Sequence, residues 1–442
     1  MKKLLFSFLV PLAFQIVSAQ TRNLGNPLIL TPLIKQGKLK AAREAAKVEL
    51  KDFQGVNSYA GYLTVDEKTN SNLFFWFFPS TNNYAKDPVL LWLQGGPGYS
   101  SLFGLFHENG PFIVKNDTVS LRKYSWNKFS SVLYIDQPVG TGFSFTDGDY
   151  VTNQTQVGDH LYTALIQFFT LFSELQKLPF YVTGISYAGK YAPAIGYTIH
   201  QRNPSADLQI NLHGLAMGAV LTDPINQVDY GPFLYQLGLI DRKTLNKYNT
   251  RTSKIIRYIK QGKYYKATKA MNEIFFWYFD DTGLNNLYNY LKDDDDLDND
   301  VDWANFITKD RVRKALHVGT ANFSISNDDV YDTMLPDITK SVAPWLIELL
   351  NNYRVLIFNG SLGVIDGYIL TVNFLEKLKF SAAAEYLSAD RQILRGDDDT
   401  VAGYKKIAGN LTDILIRNAG HNVAVDKPKE AFEMIKEFIN NR

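Results

Sequence analysis

Gly184-Ile185-Ser186-Tyr187-Ala188-Gly189 is the stretch on which the fold turns. It follows the apolar run Phe180-Tyr181-Val182 and precedes a helical stretch, so a strand passes into a helix across a serine with small residues on either side. That context is what a G-x-S-x-G elbow requires: a sharp turn in which a strained serine stands exposed above the end of a sheet. Such a pattern also arises by chance, so its meaning rests on the residues around it.

Working outward, Leu73–Phe78, Val89–Leu93, Ser131–Ile135, Phe180–Val182 and Val355–Phe358 are short β-branched or aromatic runs closed by turn-forming residues, and read as buried parallel strands. Longer helical stretches lie between them, such as Asp159–Lys177 and Trp345–Asn352. The alternation predicts one α/β core with a doubly wound, mostly parallel sheet, over residues 51–234 and 338–442. Residues 235–337 are Lys-, Asn- and Tyr-rich and mostly helical in period, which reads as a cap inserted into that core. Its acidic run, Asp293–Asp296, reads as a solvated loop, because it lacks the glycine and terminal Glu of a calcium-binding EF-hand loop.

Composition narrows the chemistry. Of 442 residues 45% are hydrophobic and 21% charged, enough for a large core, and the net charge of +1 with no basic block argues against a nucleic-acid surface. There is no cysteine, so disulfides, thiolate metal sites and a thiol nucleophile are excluded together; no cofactor or metal is expected. Met1-Lys2-Lys3, the apolar run Leu4–Val17 and Ser18-Ala19 form a secretory signal over residues 1–19, with residues 20–50 as an N-terminal extension or propeptide. No later segment offers about 18 uninterrupted apolar residues, so no stable membrane insertion is expected. Sequons at Asn116, Asn153, Asn322 and Asn410 are candidate glycan sites; a fifth, Asn359, ends an apolar run and is expected to be buried.

A serine nucleophile needs a base and an oxyanion hole. His421, in Asn418-Ala419-Gly420-His421 after the strand Ile414–Ile416, has the late position that this order of residues demands. His107 sits near a loop that can line the pocket, while His160, His200, His213 and His317 read as structural. Gln94-Gly95-Gly96-Pro97-Gly98, directly after a buried strand, lets backbone N–H groups approach a substrate unhindered.

Trp92–Gly98, Glu108-Asn109-Gly110-Pro111, Tyr134–Ser144, Ser186–Tyr191 and Gly420-His421 together resemble the serine carboxypeptidase family, nearest its vitellogenic-carboxypeptidase-like branch. The likeness is collinear from about Pro27 to the C-terminus. It implies an α/β-hydrolase fold with a helical cap, secreted or endolysosomal residence, and release of single residues from peptide or protein C-termini through an acyl-serine intermediate. It also implies that Ser186 is the nucleophile, His421 the base, the amides of Gly96 and Tyr187 the oxyanion hole, and Gln94, Gly95 and Glu108 the substrate contacts.

Two departures cut against that chemistry. The family's triad aspartate falls on Gly363, and in serine proteases loss of that carboxylate costs about 10⁴-fold in turnover. Asp366, three residues on, is a substitute only if the loop is rebuilt, and reads more plainly as an exposed loop residue. The glutamate that precedes the family's serine falls on Ile185, leaving Glu108 without the carboxyl that would raise its pKa and therefore expected to ionise more readily. Three functions stay open: a homologue with absent or severely reduced peptidase activity, an active carboxypeptidase using a substitute such as Asp366, and a serine hydrolase or acyltransferase for neutral substrates. Oligomeric state is not legible.

Overall fold

The computed structural model describes residues 24–294 and 300–440; the signal read over residues 1–19 and the last part of the acidic run lie outside them. Among the described residues there are twelve strands: β1 (Tyr59–Asp66), β2 (Ser71–Phe78), β3 (Val89–Leu93), β4 (Phe112–Lys115), β5 (Thr118–Leu121), β6 (Ser131–Ile135), β7 (Phe180–Ile185), β8 (Leu212–Gly218), β9 (Arg354–Gly360), β10 (Gln392–Arg395), β11 (Val401–Ala408) and β12 (Leu411–Ile416). Ten of them form one sheet in the order β1-β2-β6-β3-β7-β8-β9-β12-β11-β10, and β4 with β5 makes a separate hairpin.

From β6 to β12 the pairings are all parallel, and two antiparallel strands finish each side. β3 and β6 are buried at every position, as strands covered on both faces must be. Period-two alternation sorts the side chains of β2 and β3 into two cores: Leu73, Phe75, Phe77, Leu91 and Leu93 pack on one face, Phe74, Trp76, Phe78, Leu90 and Trp92 on the other. The run Leu73–Phe78, expected as a parallel strand, belongs to β2, which is antiparallel to both neighbours. Helices and loops bury both of its faces, so the alternation that marks an antiparallel strand is absent from the sequence.

Residues 235–337 divide into parts with different packing. The helices Arg242–Lys260 and Tyr264–Thr282 pair with each other and cover the C-terminal ends of the central strands through Tyr230–Gln236 and Asp328–Ile338. Residues 303–318 instead pack into the second core, with Trp303, Phe306 and Val312 buried among Phe53 and Trp76.

The functional crevice follows from topology. β6 and β7 lie on opposite sides of β3, so the loops leaving β3 and β7 diverge and open a gap at the carboxyl ends of the strands.

Candidate active site

Ser186 ends β7 with φ 63°, a left-handed conformation that costs a non-glycine residue about 1–3 kcal/mol unless the surroundings enforce it. Its N–H donates to the Gly218 carbonyl at 2.8 Å, and its carbonyl accepts from Gly189 at 2.9 Å and Leu221 at 3.2 Å. The loop after β3 presses on the elbow from the other side. A Cβ at Gly95 would stand 2.7 Å from the Ser186 Cβ and 2.9 Å from the Tyr187 nitrogen, so only glycine permits that approach. The same contact brings Gly96 (φ 112°) beside Tyr187, which precedes the helix Ala188–Arg202 and keeps the free N–H of a helix start. Among the described residues no backbone carbonyl takes either N–H.

His421 is buried on the turn after β12 and faces the same cleft as Ser186. Its N–H donates to the Tyr288 carbonyl at 2.7 Å. Its Nδ1 lies 3.3 Å from the Ile365 carbonyl oxygen, and since a carbonyl can only accept, Nδ1 carries the proton and Nε2 the lone pair. Burial pushes the imidazole down to about 4, and the Ile365 carbonyl offsets this only in part. The segment that holds Tyr288 also accepts both the Val364 and Ile365 N–H groups on the Leu287 carbonyl, at 2.9 and 3.0 Å. Residues 287–290 thus brace the loop after β9 and the histidine turn together.

Gly363 sits in that braced loop, where a Cβ would lie 3.2 Å from the His421 nitrogen and 3.5 Å from its Cα. No carboxylate occupies the space. Asp366 is not the exposed loop residue expected: it is 5% exposed and lines the cleft, with Asn359 donating to its carbonyl at 2.8 Å. Residues of distant segments, Leu287 and Tyr230, pack on this loop, which the sequence does not show. Burial alone pushes the Asp366 carboxyl up to about 7, and no hydrogen bond joins it to His421.

Gln94 faces the cleft, with its Oε1 accepting from Trp92 Nε1 at 3.0 Å and its Nε2 donating to Glu108 Oε1 at 3.1 Å. Glu108 itself lies behind that amide, fully buried in the π-turn Gly104–Glu108 and away from the cleft wall. Losing a carboxyl partner does not leave it more acidic, because burial pushes it up to about 7 against the pull of Gln94 and Arg122. Ile185 is buried at the end of β7 and contributes to the apolar core. His107 packs against Phe103 and Trp303 and does not reach the cleft.

The pattern of the serine carboxypeptidase family (Peptidase_S10) matches residues 49–441. The chain belongs to the serine carboxypeptidase family. It is 47% identical to the venom serine carboxypeptidase of Apis mellifera, over 95% of this chain and 92% of the relative. It is 46% identical to the vitellogenic carboxypeptidase of Aedes aegypti, over 94% and 90%. Among solved structures it is similar to Kex1(delta)p, a prohormone-processing carboxypeptidase from Saccharomyces cerevisiae, with TM-score 0.81 and 24% identity over 90% of this chain and 96% of that one. The α/β-hydrolase fold is therefore shared.

Several residues of this serine carboxypeptidase site carried no signal in sequence. Lys190, in the first turn of the helix Ala188–Arg202 that follows Ser186, is fully buried and pairs with Asp337 at 3.1 Å. The same carboxylate accepts from the Tyr187 hydroxyl at 3.0 Å and from Gln154 at 2.7 Å. Nothing local to Asp337 marks it, since Tyr187 and Gln154 lie 150 and 183 residues away in the chain. The cleft wall is completed by Tyr230, Phe275, Tyr288 and Tyr331 from the poorly patterned cap side and by Asp328 at the start of the helix Asp328–Ile338.

Among the candidate glycan sites, Asn116 and Asn322 are exposed. Asn153 caps the helix Gln154–Leu171 and Asn410 donates its amide to the Leu350 carbonyl, so both side chains are already engaged. Asn359 is buried. Among the described residues no helix is long and apolar enough to cross a membrane.

Proposed function

We propose that this serine carboxypeptidase homologue acts in the secretory or endolysosomal system as a binder of peptides or small amphipathic ligands, with its peptidase activity severely reduced. The observation that carries the reading is the partner of His421: a main-chain carbonyl stands where the reaction requires a carboxylate. In the family reaction Ser186 Oγ attacks the scissile carbonyl, its proton passes to His421 Nε2, and the Gly96 and Tyr187 amides receive the oxyanion. The Ile365 carbonyl sets the tautomer for that step. It does not supply the negative charge that stabilises the imidazolium, so the base keeps a pKa near 4. A fall from the ordinary value of 6.5 is worth roughly 3 kcal/mol of proton affinity, or about two orders of magnitude in rate if fully felt in the transition state.

Asp366 does not repair this, because its carboxyl is neither bonded to the imidazole nor readily ionised. Slow turnover of uncharged esters or amides is a second reading, favoured by the apolar Ile185 beside the nucleophile. The deciding experiment is release of C-terminal residues from blocked dipeptides across pH 4 to 8, with Ser186→Ala as control, beside labelling by a fluorophosphonate. The expected result is slow labelling at Ser186 and slow peptide release that still exceeds the Ser186→Ala control and rises about a hundredfold or more in Gly363→Asp with Ile185→Glu. Rapid labelling with efficient release would sink the reading.

A further inference from the structure

We propose that the cleft above Ser186 receives a cation, an ammonium or alkylated amine carried on an apolar body, with the Asp366 carboxylate as its counter-ion. The proposal rests on the reading of this cleft as a ligand site and names the ligand's chemistry. Three observations converge on it.

First, Asp366 is almost wholly buried, faces the cleft, and among the described residues has neither a cation nor a side-chain donor on its carboxyl. A buried carboxyl with no partner of its own is poised for one that arrives. Second, the wall beside it is aromatic: Tyr230, Phe275, Tyr288 and Tyr331 present ring surface of the kind that attracts cations. Third, among the described residues no Lys or Arg lines the cleft, whereas a second carboxylate, Asp328, stands at the wall with Asp329 and Asp332 nearby. The cleft is partly open to solvent, so a ligand can enter beside Asp366.

A free carboxylate fits this lining poorly. It would meet no cation, and it could approach only while Asp366 stays protonated. A cation instead draws the Asp366 proton off, so its binding strengthens with pH through the range near 7 and releases a proton. The groups facing Asp366 do not mask that change. His421 is held near 4 by burial, Tyr230 is held well above its usual range by burial and by Asp366 itself, and Asp328 on the neighbouring helix is tested separately.

The test uses full-length Ser186→Ala protein, so that binding is read whether or not the wild type turns over peptides. Calorimetric titration compares phenethylamine, which stays protonated, with neutral 2-phenylethanol and anionic 3-phenylpropanoate at pH 6 and pH 8. Phenethylamine is expected to bind about tenfold or more tightly than either at pH 8, to weaken several-fold at pH 6, and to release protons to the buffer. Asp366→Asn is expected to bring the amine within about twofold of the alcohol, and Asp328→Asn to weaken it about two- to threefold with the pH dependence intact. Equal or tighter binding of 2-phenylethanol or 3-phenylpropanoate overturns the proposal, as does binding of none of the three. So does an amine preference that survives Asp366→Asn. Should that variant fail to fold, the isostere comparison and proton release in the Ser186→Ala protein decide alone. Efficient peptide release by the wild type would instead overturn the loss of activity and leave this binding result standing.

Discussion

At position 363 no side chain stands beside the His421 turn. A Cβ there would press on the His421 nitrogen at 3.2 Å, which asks the turn to yield by a few tenths of an ångström, and the backbone is not in the left-handed region that glycine alone tolerates. Gly363→Asp is therefore expected to fold and to place a carboxylate beside the imidazole. Fluorophosphonate labelling of Ser186 should then accelerate by about 10²–10⁴-fold, the range lost when such a carboxylate is removed; an unchanged rate would show that the oxyanion hole or the serine is also impaired. Carboxypeptidase activity should need Ile185→Glu as well, since Glu108 alone lies behind Gln94. Ser186, His421 and Gly363 were legible in sequence because each sits in a short motif beside a strand end. The burial of Asp366 was not, because the residues that cover its loop come from 287–290 and 230, distant in the chain.

Two elements are joined by one buried ion pair. Lys190 of the helix Ala188–Arg202 and Asp337 of the helix Asp328–Ile338 meet with no exposure at the lysine, and Tyr187 and Gln154 complete the shell. Asp337→Ala would strand an ammonium in the core and is expected to lower unfolding free energy by about 3–5 kcal/mol. Lys190→Met with Asp337→Leu should recover most of that loss, and urea denaturation of the set checks it. If the single change costs under about 1 kcal/mol, water reaches the lysine and the helices are not locked. At this scale the sequence was informative where an element is continuous and apolar: β3 and β6 coincide with their expected runs. It was silent on β1, β8, β10 and β11, whose glycines, polar positions and exposed edges dilute the apolar pattern.

For the whole molecule, burial has gathered carboxyls that hold protons more tightly than an unfolded chain would. Glu108 and Asp366 are pushed up to about 7, Asp136 and Asp413 to about 6. For each, the folded state binds the extra proton between the unfolded and folded values, so stability is lost as pH rises through that window. Glu108→Gln keeps the Gln94 contact and removes the charge. It should leave the midpoint of thermal unfolding unchanged near pH 4 and raise it by several degrees at pH 8. A difference that is the same at both pH values would show that Glu108 titrates normally. His107 and His421, held at about 4, act in the opposite sense, which is why the single variant is more telling than the wild-type profile.

The carbonyls of Leu287 and Tyr288 hold the amides of Val364, Ile365 and His421. The histidine turn is therefore not an independent loop. It shares a lock with the cap, and the exchange of those three amide protons with solvent has to track cap opening. A ligand that seats the cap would slow their exchange in concert, so occupancy of the cleft becomes readable from the backbone even where no bond is ever cut.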